Sequence, residues 1–179
     1  MGRKKGIFYF SIFFISIFLA GYYVVRADYY MPKTMPADFA FKITFGVEGK
    51  NEINTFRNTI TKDLLKGGKT SGTFTFTKEE MEAIYKKMKK INIIGHKELS
   101  PSPFYIQIGE KPIATEHWEI RLDGHYIQLE NKEYANKKTT KDAQQLLELH
   151  QWIFELVKQK DEFQKLPDAR EGFAFYDGQ

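Results

Sequence analysis

Histidine is the first residue type to search for acid–base or metal chemistry, and the chain contains four: His96, His117, His125 and His150. An imidazole can transfer protons near neutral pH, or bind a metal ion when further ligands converge on it. Neither His96 nor His150 has a carboxylate three or four residues further on, and no His-Glu-x-x-His motif occurs. We therefore predict no metal site, and we interpret His150 as a core or rim residue on the apolar face of a helix.

A predicted hairpin separates the other two histidines. Asp123-Gly124 is typical of a two-residue type I′ turn, which fixes how the flanking strands pair. The resulting register pairs Leu122 with His125, Ile120 with Ile127, and Trp118 with Leu129. Because side chains alternate between the faces of a strand, His125 shares a face with Trp118, whereas His117 points to the other face. The two imidazoles are not expected to share a metal.

The sequence indicates neither a catalytic nucleophile nor a phosphate-binding loop. Ser71, Ser100 and Ser102 are the only serines outside the apolar N-terminal segment, and none lies in a Gly-x-Ser-x-Gly or Ser-x-x-Lys motif. The stretch GGKTSG at 67–72 lacks phosphate-loop spacing and precedes a predicted strand. The chain has no cysteine, so it has no thiolate nucleophile. It has 23 acidic residues, and the sequence does not identify which two of them would lie close enough to form a catalytic carboxylate pair. We nominate no catalytic, cofactor-binding or metal-binding residue.

The basic surplus belongs to the N-terminus. Residues 1–27 contain Arg3, Lys4, Lys5 and Arg26 and no acid; removing these four from the 27 basic residues leaves 23, equal to the 23 acidic ones. Binding to nucleic acid needs a concentration of lysine and arginine on the folded part of the chain. We do not expect nucleic acid to be a partner.

The N-terminal segment has the properties of a membrane anchor. Residues 7–25 carry no charge, and as a helix they would span about 28 Å, close to the hydrocarbon thickness of a bilayer. The preceding basic cluster favours a cytoplasmic N-terminus. We predict a single-pass protein with its C-terminal domain outside the cytoplasm. A cleaved signal, cut after Ala27, remains the alternative.

The rest of the chain predicts a tether over 28–38 and one extracytoplasmic domain over 39–179. Strands are expected over 39–47, over 71–76, over 104–108, in the hairpin around Asp123-Gly124 and over 172–178, with a poorly patterned strand over 53–61 assigned to an edge. Thr77 with Glu80 forms a capping box for one amphipathic helix, and Thr139 or Thr140 caps a second that runs to about Lys160. We predict an α+β fold: a mainly antiparallel sheet with two amphipathic helices on one face.

Two motifs carry a resemblance to a group of known proteins. They are the Thr-Lys-Glu-Glu-Met helix start at 77–81 with its Lys-Met-Lys-Lys ending, and Glu-Phe-Gln-Lys-Leu-Pro at 162–167 followed by Gly172-Phe173. With the order of elements over 39–176, the chain resembles small exported or membrane-anchored proteins of unassigned function from Bacillus-like Gram-positive bacteria. Such relatives often carry a lipid-accepting cysteine, whereas Tyr22 stands at that position here. The resemblance implies no activity.

Three functions stay open at this point. A charge-balanced exported domain without a reactive centre indicates a binding or interaction module for a protein, peptide or other envelope component. An envelope hydrolase would need a carboxylate pair or His96. An inhibitor or immunity-type protein would need a target.

Overall fold

A computed structural model of the protein describes residues 30–46, 49–99, 116–131 and 140–168. The chain divides after Tyr30, and the second unit, Met31–Gln179, contains every element named below. The strands are β1 (Ala40–Phe45), β2 (Asn51–Asn54), β3 (Thr59–Asp63), β4 (Lys69–Thr73), β5 (Glu116–Leu122) and β6 (His125–Asn131). The helices are α1 (Lys78–Lys90), α2 (Lys141–Lys158) and the short α3 (Asp161–Gln164), and a 3-10 turn at Leu65–Gly67 joins β3 to β4.

The six strands form one antiparallel sheet in the order β4-β3-β2-β1-β5-β6. The predicted α+β class is therefore confirmed. The predicted hairpin register is confirmed too: Leu122 pairs with His125, Ile120 with Ile127, and Trp118 with Leu129. Asp123 and Gly124 both have positive φ, as a type I′ turn requires.

One face of the sheet holds the core. Ile43 pairs with Ile53 on one side and with Trp118 on the other, and all three are fully buried. Ile60 pairs with Ile53 and extends this apolar row to β3, and Ile120 pairs with Phe41 in a second inward-facing pair. The opposite face, which we call the outer face, carries polar residues such as those at the alternate positions of β1 and β5.

Both long helices cover the inner face. Tyr85 of α1 meets the ring of Phe39 edge-on, with ring centroids 5.1 Å apart. His150 of α2 meets Phe45 in the same manner at 4.2 Å. Phe39, just before β1, and Phe45, at its end, are each an even number of residues from Ile43, so all three side chains point to the same face of the sheet. The helices α1 and α2, which contact Phe39 and Phe45, therefore lie on the same side of the sheet.

The helix starts agree with their sequence signals. The side chain of Thr77 accepts a hydrogen bond from the Glu80 amide, and the Glu80 carboxylate accepts one from the Thr77 amide, which completes the capping box. Thr140 caps α2 by accepting a hydrogen bond from the Ala143 amide at 3.1 Å. The end of α2 falls at Lys158, two residues before the predicted position.

The predicted edge strand over 53–61 is wrong. This stretch forms two strands, β2 and β3, which are interior to the sheet, whereas β4 and β6 are the edges. The side chain of Asn54 accepts hydrogen bonds from the amides of Phe56 and Arg57, at 3.0 and 3.2 Å, and reverses the chain. Asn58 completes the turn with a positive φ. The strand predicted over 71–76 begins earlier, at Lys69, and ends at Thr73.

Residues 31–38, predicted as part of a tether, pack against the domain. Met31 is 5% exposed and belongs to the core cluster. The hydroxyl of Tyr85 donates a hydrogen bond to the carbonyl oxygen of Pro32 at 2.7 Å, and Lys89 Nζ donates one to that of Lys33 at 3.0 Å. The packed unit therefore includes all but the first three residues of the predicted tether.

Three predicted elements lie outside the described residues: the membrane span over 7–25, the strand over 104–108 and the terminal strand over 172–178. Within the described ranges, no helix combines the length and apolar character that crossing a bilayer requires.

Candidate functional sites

A buried polar cluster joins the sheet to α2. Glu116 is fully buried, and its carboxylate accepts hydrogen bonds from Trp118 Nε1 and from Asn131 Nδ2, each at 2.9 Å. His150, which is 3% exposed, places Nδ1 at 3.2 Å from Glu116 Oε1. We call these four residues the Glu116 cluster.

The sheet register and the helix period together assemble this cluster. Glu116 lies two residues before Trp118 in β5, so its side chain points to the same inner face. Asn131 pairs with Glu116 across the hairpin and points inward with it. His150 lies on the buried stripe of α2, between Leu146 and Ile153. Trp118 and Phe45 contact its ring edge-on, at centroid distances of 6.5 and 4.2 Å.

A histidine beside a carboxylate is the arrangement that hydrolases use for proton transfer. Such a pair must also reach a substrate, and here the Glu116 and His150 side chains are 0% and 3% exposed. Trp118 and Asn131 instead donate hydrogen bonds to the Glu116 carboxylate, and the His150 imidazole packs beside it, inside a core where an uncompensated carboxylate would be costly. Among the described residues, this geometry supports a structural role.

The remaining histidines do not converge. His96 is exposed in the link after α1, and His125 is exposed at the hairpin end. His117 lies on the outer face, with Nε2 at 3.5 Å from Glu119 Oε1. The described ranges contain no group of three histidine, cysteine, aspartate or glutamate side chains placed to hold a metal ion.

A second candidate site is an aromatic cluster on the outer face, formed by Phe56, Arg121 and Tyr126. The Phe56 and Tyr126 rings are nearly parallel, with an angle of 17° and a centroid distance of 6.4 Å, and the Arg121 guanidinium lies 5.4 Å from the Phe56 ring centroid. Tyr126 is 69% exposed. We call this the outer-face cluster.

Asp38 positions one member of this cluster, Arg121, together with the adjacent hairpin turn. Its carbonyl oxygen accepts a hydrogen bond from Arg121 Nε at 3.0 Å, and its carboxylate accepts from the amides of Asp123 and Gly124 at 3.0 and 2.8 Å. The hydrogen bond from Gly124 is the main reason that the pKa of Asp38 is lowered. The hairpin turn, Arg121 and the segment before β1 are thus held together by one residue.

A third candidate site is a groove between α1 and residues 33–35, with a volume of about 500 Å³. Its lining includes Lys33, Lys78, Lys86, Lys89 and one acid, Glu82. We call it the lysine groove. Tyr85 forms part of its wall, and burial is the main reason that the pKa of this tyrosine is raised.

No protein-family model matches the chain, and no curated protein matches it either.

The sequence predicts none of these three sites as a functional site. The signal for the Glu116 cluster was the inward position of a glutamate in a strand that otherwise alternates apolar and polar residues. The outer-face cluster depends on the turn between β2 and β3. The sequence predicts a single strand over 53–61 and therefore no turn at this place. The lysine groove depends on the packing of residues 33–35 against α1. The sequence of these residues has no hydrophobic periodicity, so it does not predict this packing.

Proposed function

We propose that the protein is a membrane-anchored, extracytoplasmic binding module, and that it binds a protein or peptide of the cell envelope through the outer-face cluster. The observation that carries this proposal is the exposure of Tyr126, 69%, in a stacked pair with Phe56 that also contacts a positioned arginine. The anchor is the uncharged segment over 7–25.

The chemistry of the cluster supports a macromolecular partner. Tyrosine and arginine are the residue types that most often dominate the binding energy of protein interfaces, because they combine a large contact area with polar groups. Here the hydrogen bond from Arg121 to Asp38 restrains the guanidinium before any partner arrives. A side chain that is already ordered loses less entropy on binding.

The same surface suits an inhibitor or immunity-type protein, because such a protein also acts through an exposed patch. In that case the bound partner is a toxin or enzyme that loses activity in the complex. A gene for this target next to the gene for the present chain would favour that form of the proposal.

Site-specific photocrosslinking tests the proposal in intact cells. A photoreactive phenylalanine analogue replaces Tyr126 in the full-length chain, and a matched chain carries it at Glu155, an exposed position on α2. We expect a discrete crosslinked product from position 126 alone. Adding Arg121→Ala to the first chain should remove most of that product. No product at position 126, or equal products at both positions, contradicts the proposal.

The second candidate, an envelope hydrolase, would have to use the pair of His150 and Glu116, which approach to 3.2 Å. It requires an opening that admits substrate to two enclosed side chains. Incubating the full-length protein with cell-wall material tests this candidate. Release of soluble fragments by the wild type but not by the Glu116→Gln and His150→Gln variants would favour the hydrolase over the binding module.

A further inference from the structure

The lysine groove combines a concave shape with a concentration of positive charge. Among the described residues that line it, four are lysines and Glu82 is the only acid. Lys33, Lys78 and Lys86 are exposed, so their ammonium groups remain accessible to a ligand. The groove therefore suits an anionic group larger than a single ion.

The packing of residues 31–35 fixes this groove to the start of the domain. Met31 is buried in the core. The Tyr85 hydroxyl donates a hydrogen bond to the carbonyl oxygen of Pro32, and Lys89 Nζ donates one to the carbonyl oxygen of Lys33. Lys33 is thus both a wall of the groove and one of the first residues of the packed unit.

Chain length limits how far the groove can lie from the predicted membrane span. The span ends at Val25 and the packed unit begins at Met31, so five residues, 26–30, connect them. Even fully extended, the chain from Val25 to Lys33 covers only about 28 Å. So short a connection keeps the groove within reach of the lipid surface.

We propose that the lysine groove binds the anionic headgroups of the membrane lipids around the predicted span. This inference rests on the membrane anchor of the proposed function, but it concerns a different surface from the outer-face cluster. Basic residues next to a membrane segment are attracted to anionic lipids over distances of about a Debye length. Docking of α1 on the bilayer would set the direction in which the outer-face cluster points.

The absence of cysteine from the chain makes the test direct. Thr34→Cys places one fluorophore in the groove, and Gln128→Cys places one on the outer face in a separate preparation. The full-length protein is reconstituted into phosphatidylcholine vesicles with or without about one third phosphatidylglycerol, an anionic lipid. Quenching by a nitroxide attached to lipid headgroups reports how closely each position approaches the surface.

We expect stronger quenching at position 34 in anionic vesicles, with little change at position 128. Replacing Lys33, Lys78 and Lys86 by Gln should remove this gain in quenching. We expect each replacement to lower the ratio of docked to undocked domain by about fivefold. The matched control replaces Lys62, Lys158 and Lys165, which line another groove, and should retain it. An equal loss in the control would show attraction by net charge alone and would overturn the inference.

Two further outcomes separate this inference from the proposed function. Failure of the chain to float with vesicles after an alkaline wash would overturn the anchor and the lipid site together. Stable insertion without a dependence on anionic lipid would overturn the lipid site alone. If glycerol phosphate, but not chloride at equal ionic strength, released the domain from the lipid surface, the groove would be assigned to a soluble phosphate ligand. That outcome would also overturn the lipid site.

Discussion

Glu116 Oε1 lies 3.2 Å from Nδ1 of His150, and this contact links the start of β5 to α2 inside the core. The same carboxylate is the acceptor for Trp118 and Asn131. The buried carboxylate and imidazole specify how β5 and α2 pack, because a shift between the two elements would separate two polar groups in a place that water does not reach.

Removing the Glu116 carboxylate should strongly destabilise the fold. Glu116→Ala leaves the donors of Trp118 and Asn131 buried without their acceptor, and we expect the free energy of unfolding to fall by about 3 to 5 kcal/mol. Urea denaturation followed by tryptophan fluorescence measures this loss. Glu119→Ala, in the same strand but on the outer face, is the control and should cost at most about 1 kcal/mol. Equal effects at the two positions would contradict the account of the cluster.

The outer-face cluster should contribute little to stability. Tyr126 is 69% exposed, so Tyr126→Ala should change the free energy of unfolding by about 0.5 kcal/mol. Phe41→Ala, in the core, should cost about 3 to 5 kcal/mol under the same conditions. If Tyr126→Ala were as damaging as Phe41→Ala, any loss of binding in that variant would report unfolding, and the cluster would be structural.

Asp38 should make the hairpin region sensitive to acid. Its pKa is lowered in the folded chain, chiefly by the hydrogen bond from Gly124, so folding favours the ionised form. The resulting stabilisation is present above the ordinary carboxyl pKa of about 3.9 and is lost as the pH falls through the lowered pKa. We expect Asp38→Asn to be less stable than the wild type at pH 7.

Unfolding curves measured from pH 7 down to pH 2 test this sign. The difference between the wild type and Asp38→Asn should narrow below about pH 4, because the wild-type carboxyl then becomes protonated. A difference that stays constant over the whole range would show that charge on Asp38 has no part in holding the turn.

The capping box at the start of α1 gives a local test. Thr77→Ala removes the acceptor for the Glu80 amide and should lower the free energy of unfolding by about 1 kcal/mol. Thr77→Ser keeps the hydroxyl and should stay close to the wild type. If Ser and Ala cost the same, the loss comes from the methyl group and not from the cap.

Local patterns predicted much of this fold. Asp123-Gly124 determined the register of β5 and β6 because a two-residue loop leaves only one pairing, and Thr77 and Thr140 marked where α1 and α2 begin. The turn between β2 and β3 was missed because it contains neither glycine nor proline. Asn54 and Asn58 make it instead, through a side-chain acceptor and a positive φ.

The candidate sites were harder to predict because each joins residues that are distant in the sequence. Glu116 and His150 belong to different elements, and no spacing rule connects a strand residue to a helix residue that packs on it. Phe56 meets Tyr126 only once β2, β1, β5 and β6 are ordered side by side. Alternation places such residues on a face, but only the tertiary fold brings them into contact.

The side of the membrane on which the domain lies is the central claim, and a single introduced cysteine measures it. Glu155→Cys provides one exposed thiol in a chain that otherwise has none. In intact cells stripped of their wall, a membrane-impermeant maleimide should label this position as completely as it does after lysis. Labelling that occurs only after lysis would place the domain in the cytoplasm and would contradict the account.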